Sequence, residues 1–205
     1  MKKTILSLTL LAGATAAAQA QSGPGTRFGL KVGVVAADVA GKDADVRFGD
    51  NTQNRFGFQA GITTTAAFGV DGFFQLHPEL LYSQKGFQIK RNGQEQRTTL
   101  HYIDLPLLAR INAAGLIFEV GPQLGYLIGR SNRGKVTGAE TTNMQKFDVG
   151  YIVGVGYQLE SGPNVGIRYN GGVRTLFEDS AGSNNRVRNS VFQFQLGFAF
   201  PGSGS

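Results

Sequence analysis

The sequence predicts an all-β fold: a closed, eight-stranded antiparallel transmembrane β-barrel with long outer loops and short periplasmic turns. Three observations carry that expectation. Segments that alternate large apolar with small or polar residues recur along the chain. The connections between them alternate long and short. The first residues have the pattern of an export leader.

The leader comes first. MKKTILSLTLLAGATAAAQA places Lys2 and Lys3 before an apolar run that ends in Ala18-Gln19-Ala20. A basic start, a short greasy stretch and an A-x-A site make a secretory signal peptide over 1–20, cleaved after Ala20, with the barrel domain over 21–205. The run is short for a helical span, and no later stretch approaches the roughly 18 consecutive apolar residues that a membrane helix needs. A membrane-spanning form must therefore use strands. The 205 residues suit one domain, and 30 glycines fit turn-rich β structure. With no cysteine, disulfides and thiolate zinc sites are excluded. The formal charge of +6 raises nucleic acid as a partner. Export and the lack of a basic helix argue against it, so no nucleic acid is expected.

The strands then follow in order. At 27–36, Phe28, Leu30, Val32 and Val34 oppose Gly29, Lys31 and Gly33. A second strand covers 55–66. At 73–85, Phe74, Leu76, Leu80 and Tyr82 oppose Gln75, His77, Glu79 and Ser83. At 98–112, Ile103, Leu105, Leu107 and Ile111 oppose Tyr102, Asp104 and Arg110. At 115–129, Leu116, Phe118, Val120, Leu124 and Tyr126 oppose Glu119, Gly121, Gln123 and Gly125. At 146–160, Phe147, Val149, Tyr151, Val153 and Val155 oppose Asp148, Gly150, Ile152 and Gly154. At 163–176, Val165, Ile167, Tyr169 and Val173 oppose Gly166, Arg168, Asn170 and Arg174. At 189–200, Phe192, Phe194, Leu196, Phe198 and Phe200 oppose Gln193, Gln195 and Gly197. Pro78, Pro106 and Pro122 interrupt this reading, because a closed barrel has no free edge to tolerate them; local bulges or missing ladder bonds are expected there.

Long polar connections follow the odd-numbered strands: ADVAGKDADVRFGDNTQN, FQIKRNGQEQR, RSNRGKVTGAETTNMQ and FEDSAGSNNRVR. GVDG, NAAG and ESGP are the tight turns. The long connections are basic, with Lys85, Lys90, Arg91 and Arg97 in one, Arg130, Arg133 and Lys135 in another, and Arg186 and Arg188 in the last. Beside an anionic lipopolysaccharide leaflet such cations can hold phosphates.

The second face of the strands carries Lys31, Glu79, Asp104, Arg110, Glu119, Asp148, Arg168 and Arg174, four charges of each sign. A soluble exported barrel would turn this face to water and fold the apolar face around a small apolar ligand. An outer-membrane barrel would turn the apolar face to lipid and pair the charges inside. Glycine crowds the charged face, where it weakens a solvated strand but makes room inside a narrow barrel. Balanced charge suits an interior in which each ion needs a partner. Tyr82, Tyr126, Tyr151 and Tyr157 fall near strand ends, where an interfacial girdle sits. The membrane barrel is therefore the expected form, with its lumen closed by an ion-paired network.

FGLKVGV, HPELLYSQKGF, YIDLPLLAR, FEVGPQLGYLIG, FDVGYIVGVGYQL and VGIRYN resemble the PorT-like outer-membrane β-barrel family of Bacteroidetes-group bacteria, over about residues 27–200. Pro78 and Pro106 belong to these motifs. The resemblance implies a small barrel in the outer membrane. It implies no catalytic residue, and the family's namesake takes part in protein secretion and gliding.

Candidate chemistry is sparse. His77 and Glu79 share one strand face and can pair, a geometry that orients a base in hydrolases. His101 falls near the outer end of its strand on the apolar parity. An outer-membrane hydrolase built on either histidine is the enzymatic alternative. Two separated histidines are a weak metal signal, and the glycines of GVGYQL lack a dinucleotide fingerprint. No catalytic residue, metal or cofactor is expected. The expected role is structural or interactive, as a surface binder or an accessory to protein secretion, with lipid, lipopolysaccharide and loop-bound proteins as partners.

Overall fold

The computed structural model describes residues 26–40, 52–68, 72–91, 94–134, 145–173 and 188–201. Eight strands run in sequence: β1 (Thr26–Ala40), β2 (Thr52–Phe68), β3 (Phe74–Arg91), β4 (Gln94–Ala113), β5 (Leu116–Gly134), β6 (Phe147–Gln158), β7 (Pro163–Gly172) and β8 (Arg188–Ala199). Each pairs antiparallel with the next, and β1 pairs with β8 to close the barrel. Closure removes every sheet edge and satisfies the backbone between strands, as a spanning sheet requires.

The three prolines produce gaps without bulges. The ladder skips Thr64 and Thr65 opposite Pro78 and His77. It skips Glu79 and Leu80 opposite Pro106 and Leu105. It skips Leu107 and Leu108 opposite Pro122 and Gly121. Each proline still pairs normally on its other flank: Pro78 with Leu107, Pro106 with Gln123, Pro122 with Tyr151. A strand residue directs its N–H and C=O to one neighbour, so a missing N–H spoils one flank only. The register shifts lie elsewhere, between Asn54 and Gln59 and between His101 and Tyr102.

Ala114 (φ 51°) and Gly115 (φ 93°) join β4 to β5, and Asn112 Oδ1 accepts a hydrogen bond from the Gly115 N–H at 2.8 Å. Two consecutive left-handed residues give the turn that matches strand twist.

One expected loop is corrected. FQIKRNGQEQR is not a long connection: β3 continues to Arg91, β4 begins at Gln94, and these two residues pair directly. Only Asn92 and Gly93 lie between them, the dipeptide that favours two-residue hairpins. Lys85, Lys90, Arg91 and Arg97 are therefore strand residues, as are Arg130 and Arg133 in β5 and Arg188 at the start of β8. The β3–β4 hairpin and β5 therefore continue past the apolar band. Lys135, Arg174 and Arg186 lie outside the described residues, as do most of the other three expected long loops.

Candidate functional site

Alternation sends the two halves of each strand's side chains to opposite environments. Lys31, His77, Glu79, Arg110, Glu119 and Arg168 all point into the lumen and are buried. Arg168 of β7 is the hub and is fully buried. Its Nη1 donates to Glu79 Oε2 at 2.7 Å and its Nη2 to Glu79 Oε1 at 2.8 Å. Its Nε donates to Glu119 Oε1. Lys31 joins Glu79 from β1, and Arg110 Nη2 reaches Glu119 Oε2 at 3.2 Å from β4. Gln195 Nε2 of β8 adds a bond to Glu119 Oε1 at 3.3 Å. β6 contributes an absence of side chain: a Cβ on Gly154 would lie 2.8 Å from Arg168 Cγ and 2.8 Å from Glu119 Oε1. The knot crosses the whole lumen.

A second cluster lies further from the short turns. Lys85 Nζ is 2.9 Å from Asp104 Oδ2 and 3.8 Å from Asp148 Oδ2, and sits 4.8 Å from the centre of the Tyr102 ring. Lys85, read from the sequence as a loop cation, is in fact buried in the lumen. It brings the described lumen charges to four of each sign: Lys31, Lys85, Arg110 and Arg168 against Glu79, Asp104, Glu119 and Asp148. The structure thus divides the sequence-expected network into two clusters instead of one.

His77 lies inside the lower knot. Its Nε2 is 2.7 Å from Glu79 Oε1, and its Nδ1 is 2.7 Å from Thr65 Oγ1. Nδ1 meets the threonine hydroxyl, while Nε2 lies beside the carboxylate without the alignment of a hydrogen bond. A hydroxyl, imidazole and carboxylate in a row have the connectivity of an activated nucleophile. Here Thr65 is 9% exposed and Glu79 is already gripped by Arg168 and Lys31, so the row packs the plug. Sequence reasoning missed Thr65, because β2 has no clean alternation to mark its inward face. His101 is far from this row in the register and faces outward. It stacks on Tyr82 at 6.0 Å and 25°, with the Tyr82 hydroxyl 2.6 Å from its Nδ1. Among the described residues no His, Cys, Asp and Glu cluster is suited to hold a metal ion.

The outside is apolar. Leu30, Val32, Ile62, Leu80, Leu105, Leu107, Val120, Leu124, Val153 and Ile167 are all exposed. Aromatic contacts bound this band on the side away from the short turns: Phe58–Tyr82 at 5.7 Å, Tyr126–Phe147 at 5.1 Å, Tyr151–Tyr169 at 6.2 Å and Tyr169–Phe192 at 5.1 Å. An apolar band with an aromatic border is the exterior of a lipid-embedded barrel. The soluble alternative is overturned, because the phenylalanines of β8 are exposed on the outside and the interior is ionic.

Beyond that border, Gln84 of β3, Arg97, Thr99 and His101 of β4, and Ser131 and Arg133 of β5 surround an open concavity of about 260 Å³. Arg130 is exposed on the neighbouring stretch of β5. Two of the expected anion contacts, Arg97 and Arg133, thus come together across the β4–β5 ladder, whereas Arg130, opposite Leu100, belongs to the other face.

An ionic inside, a greasy outside and eight closed strands define a small outer-membrane barrel. The profile of the outer membrane protein beta-barrel domain family matches residues 17–178, and the chain belongs to that family. The fold is similar to that of Neisserial surface protein A, at 13% identity and a TM-score of 0.51, covering 86% of this chain and 99% of that one. It is also similar to OprG from Pseudomonas aeruginosa, at 14% identity and a TM-score of 0.50, covering 88% of this chain and 98% of that one. Identities this low establish the fold alone. No curated protein matches the chain.

Proposed function

We propose that this protein is a closed, non-enzymatic barrel that works through its outer end, as a surface-binding element or an accessory to protein export of the PorT-like kind. Residues 1–20 act as the cleaved leader and 21–205 as the barrel domain. The observation that carries the reading is the Arg168 knot. It draws ion-pair partners from β1, β3, β4 and β5 to one guanidinium, or to the carboxylates that hold it, and so fills the cross-section. An eight-stranded lumen is just wide enough for side chains, so the chemistry left to the molecule lies at its surface. The partners in this reading are membrane lipid, lipopolysaccharide and proteins that engage the outer loops.

Expression of the precursor tests it. The expected product starts at Gln21, sediments with outer membranes, shows heat-dependent migration on a gel and passes no current in a planar bilayer. A steady conductance would overturn the closed lumen. A soluble product would overturn the embedding.

A further inference from the structure

We infer that the concavity on the outward face of β3–β5 seats the phosphorylated headgroup of an outer-leaflet glycolipid; this rests on the membrane embedding proposed above. Three features of the surface point there. The first is charge. Arg97 and Arg133 are direct partners across the β4–β5 ladder, and both are exposed. Two guanidiniums side by side can present several N–H donors to one anion. Guanidinium forks suit phosphate oxygens.

The second feature is shape. Thr99 and Ser131, the next outward pair, are short, so the centre of the patch is recessed between the longer Arg97, Arg133, Gln84 and His101 side chains. Both residues line the concavity and carry hydroxyls that can donate. His101 is held in place by its stacking on Tyr82 and the 2.6 Å contact to that hydroxyl.

The third is position, and it selects the occupant. One outward step toward the apolar band from Gln84 and His101 stand Tyr82 and Ile103, which pair with each other, and Ile103 in turn pairs with Tyr126. A ligand in the concavity thus has its anionic end among arginines and, directly below, an aromatic and aliphatic wall. That is the profile of an amphiphile with a phosphate head and acyl chains. A free phosphate would use the first half of this surface and none of the second.

The test uses the full barrel in mild detergent, with lipid retention read by native mass spectrometry. The probes are diphosphorylated lipid A, its dephosphorylated form and inorganic phosphate. Lipid A is expected to be retained, with affinity falling about tenfold for R133Q and further for R97Q/R133Q, the usual effect of losing a charge-assisted hydrogen bond. R27Q, which removes an exposed cation at the opposite end, is expected to leave retention unchanged. Heat-dependent migration checks that each variant is folded. Equal retention of the dephosphorylated lipid, or no loss in the folded R97Q/R133Q variant, overturns the headgroup seat. Inorganic phosphate that competes as well as the lipid assigns the site to free anion and overturns it too. A wild-type chain that never enters the membrane overturns the embedding instead, and is recognised by sedimentation before any lipid is added.

Discussion

Arg168 holds Glu79 across the lumen with both terminal nitrogens, Nη1 at 2.7 Å from Oε2 and Nη2 at 2.8 Å from Oε1. The two residues lie on β7 and β3, so neither direct neighbour in the sheet mediates the contact. Removing one partner leaves a buried charge without its main counter-ion, which costs about 3–5 kcal/mol. R168M is expected to lose that much in urea unfolding from lipid vesicles. R168M/E79Q is expected to be less destabilised than the sum of its two single variants, since contacting residues couple by about 0.5–3 kcal/mol. Strict additivity would show that the grip contributes nothing of its own.

Glycine on the inner face has a local cause that can be measured. A Cβ on Gly154 meets Arg168 Cγ and Glu119 Oε1 at 2.8 Å, whereas one on Gly129 meets nothing closer than His101 Cδ2 at 3.6 Å. G154A is expected to displace the knot and to destabilise by about 1–3 kcal/mol, the range for overpacking. G129A is expected to be neutral or slightly stabilising, because alanine loses less chain entropy than glycine on folding. The same unfolding assay compares them, and equal effects would mean that the space around Arg168 is not limiting.

Lys85 separates the sequence reading from the structure. As a loop cation it would tolerate substitution within about 0.5 kcal/mol. As the partner of Asp104 at 2.9 Å it cannot be removed so cheaply. K85M is expected to destabilise by about 3–5 kcal/mol, because it leaves Asp104 buried and unpaired. K85M/D104L is expected to recover most of that loss. A K85M protein as stable as wild type would return Lys85 to the surface.

The strand count and the inward face were legible because β1 and β3–β8 keep period two through their apolar segments, and period two alone decides which side chains share a face. The error at Lys85 came from where that alternation turns polar on both faces. There hydropathy no longer distinguishes strand from loop, and Asn92-Gly93 was the overlooked hairpin signal. The prolines looked like strand breakers because a sequence does not tell which flank a missing N–H faces. Thr65 was unreadable for another reason: β2 runs Thr63, Thr64, Thr65, with the same side chain on both faces. The Arg97–Arg133 juxtaposition depends on the register of two long strands, which the register shift at His101 and Tyr102 sets and no local pattern announces.

The outward face gives a prediction that depends on depth. Val153 lies at the middle of β6 and is 50% exposed, while Phe147 begins the same strand at the aromatic border. In lipid, arginine costs about 2–4 kcal/mol at the midplane and about 0–1 kcal/mol near the interface. V153R is therefore expected to be much more destabilising than F147R when folding is measured in vesicles. In water the order would reverse or vanish, since both side chains are exposed and phenylalanine gives up more apolar contact than valine. The ratio of the two effects thus reports the solvent that the apolar band meets, independently of where the protein fractionates. Equal and small costs for both variants would mean that this band does not lie in hydrocarbon.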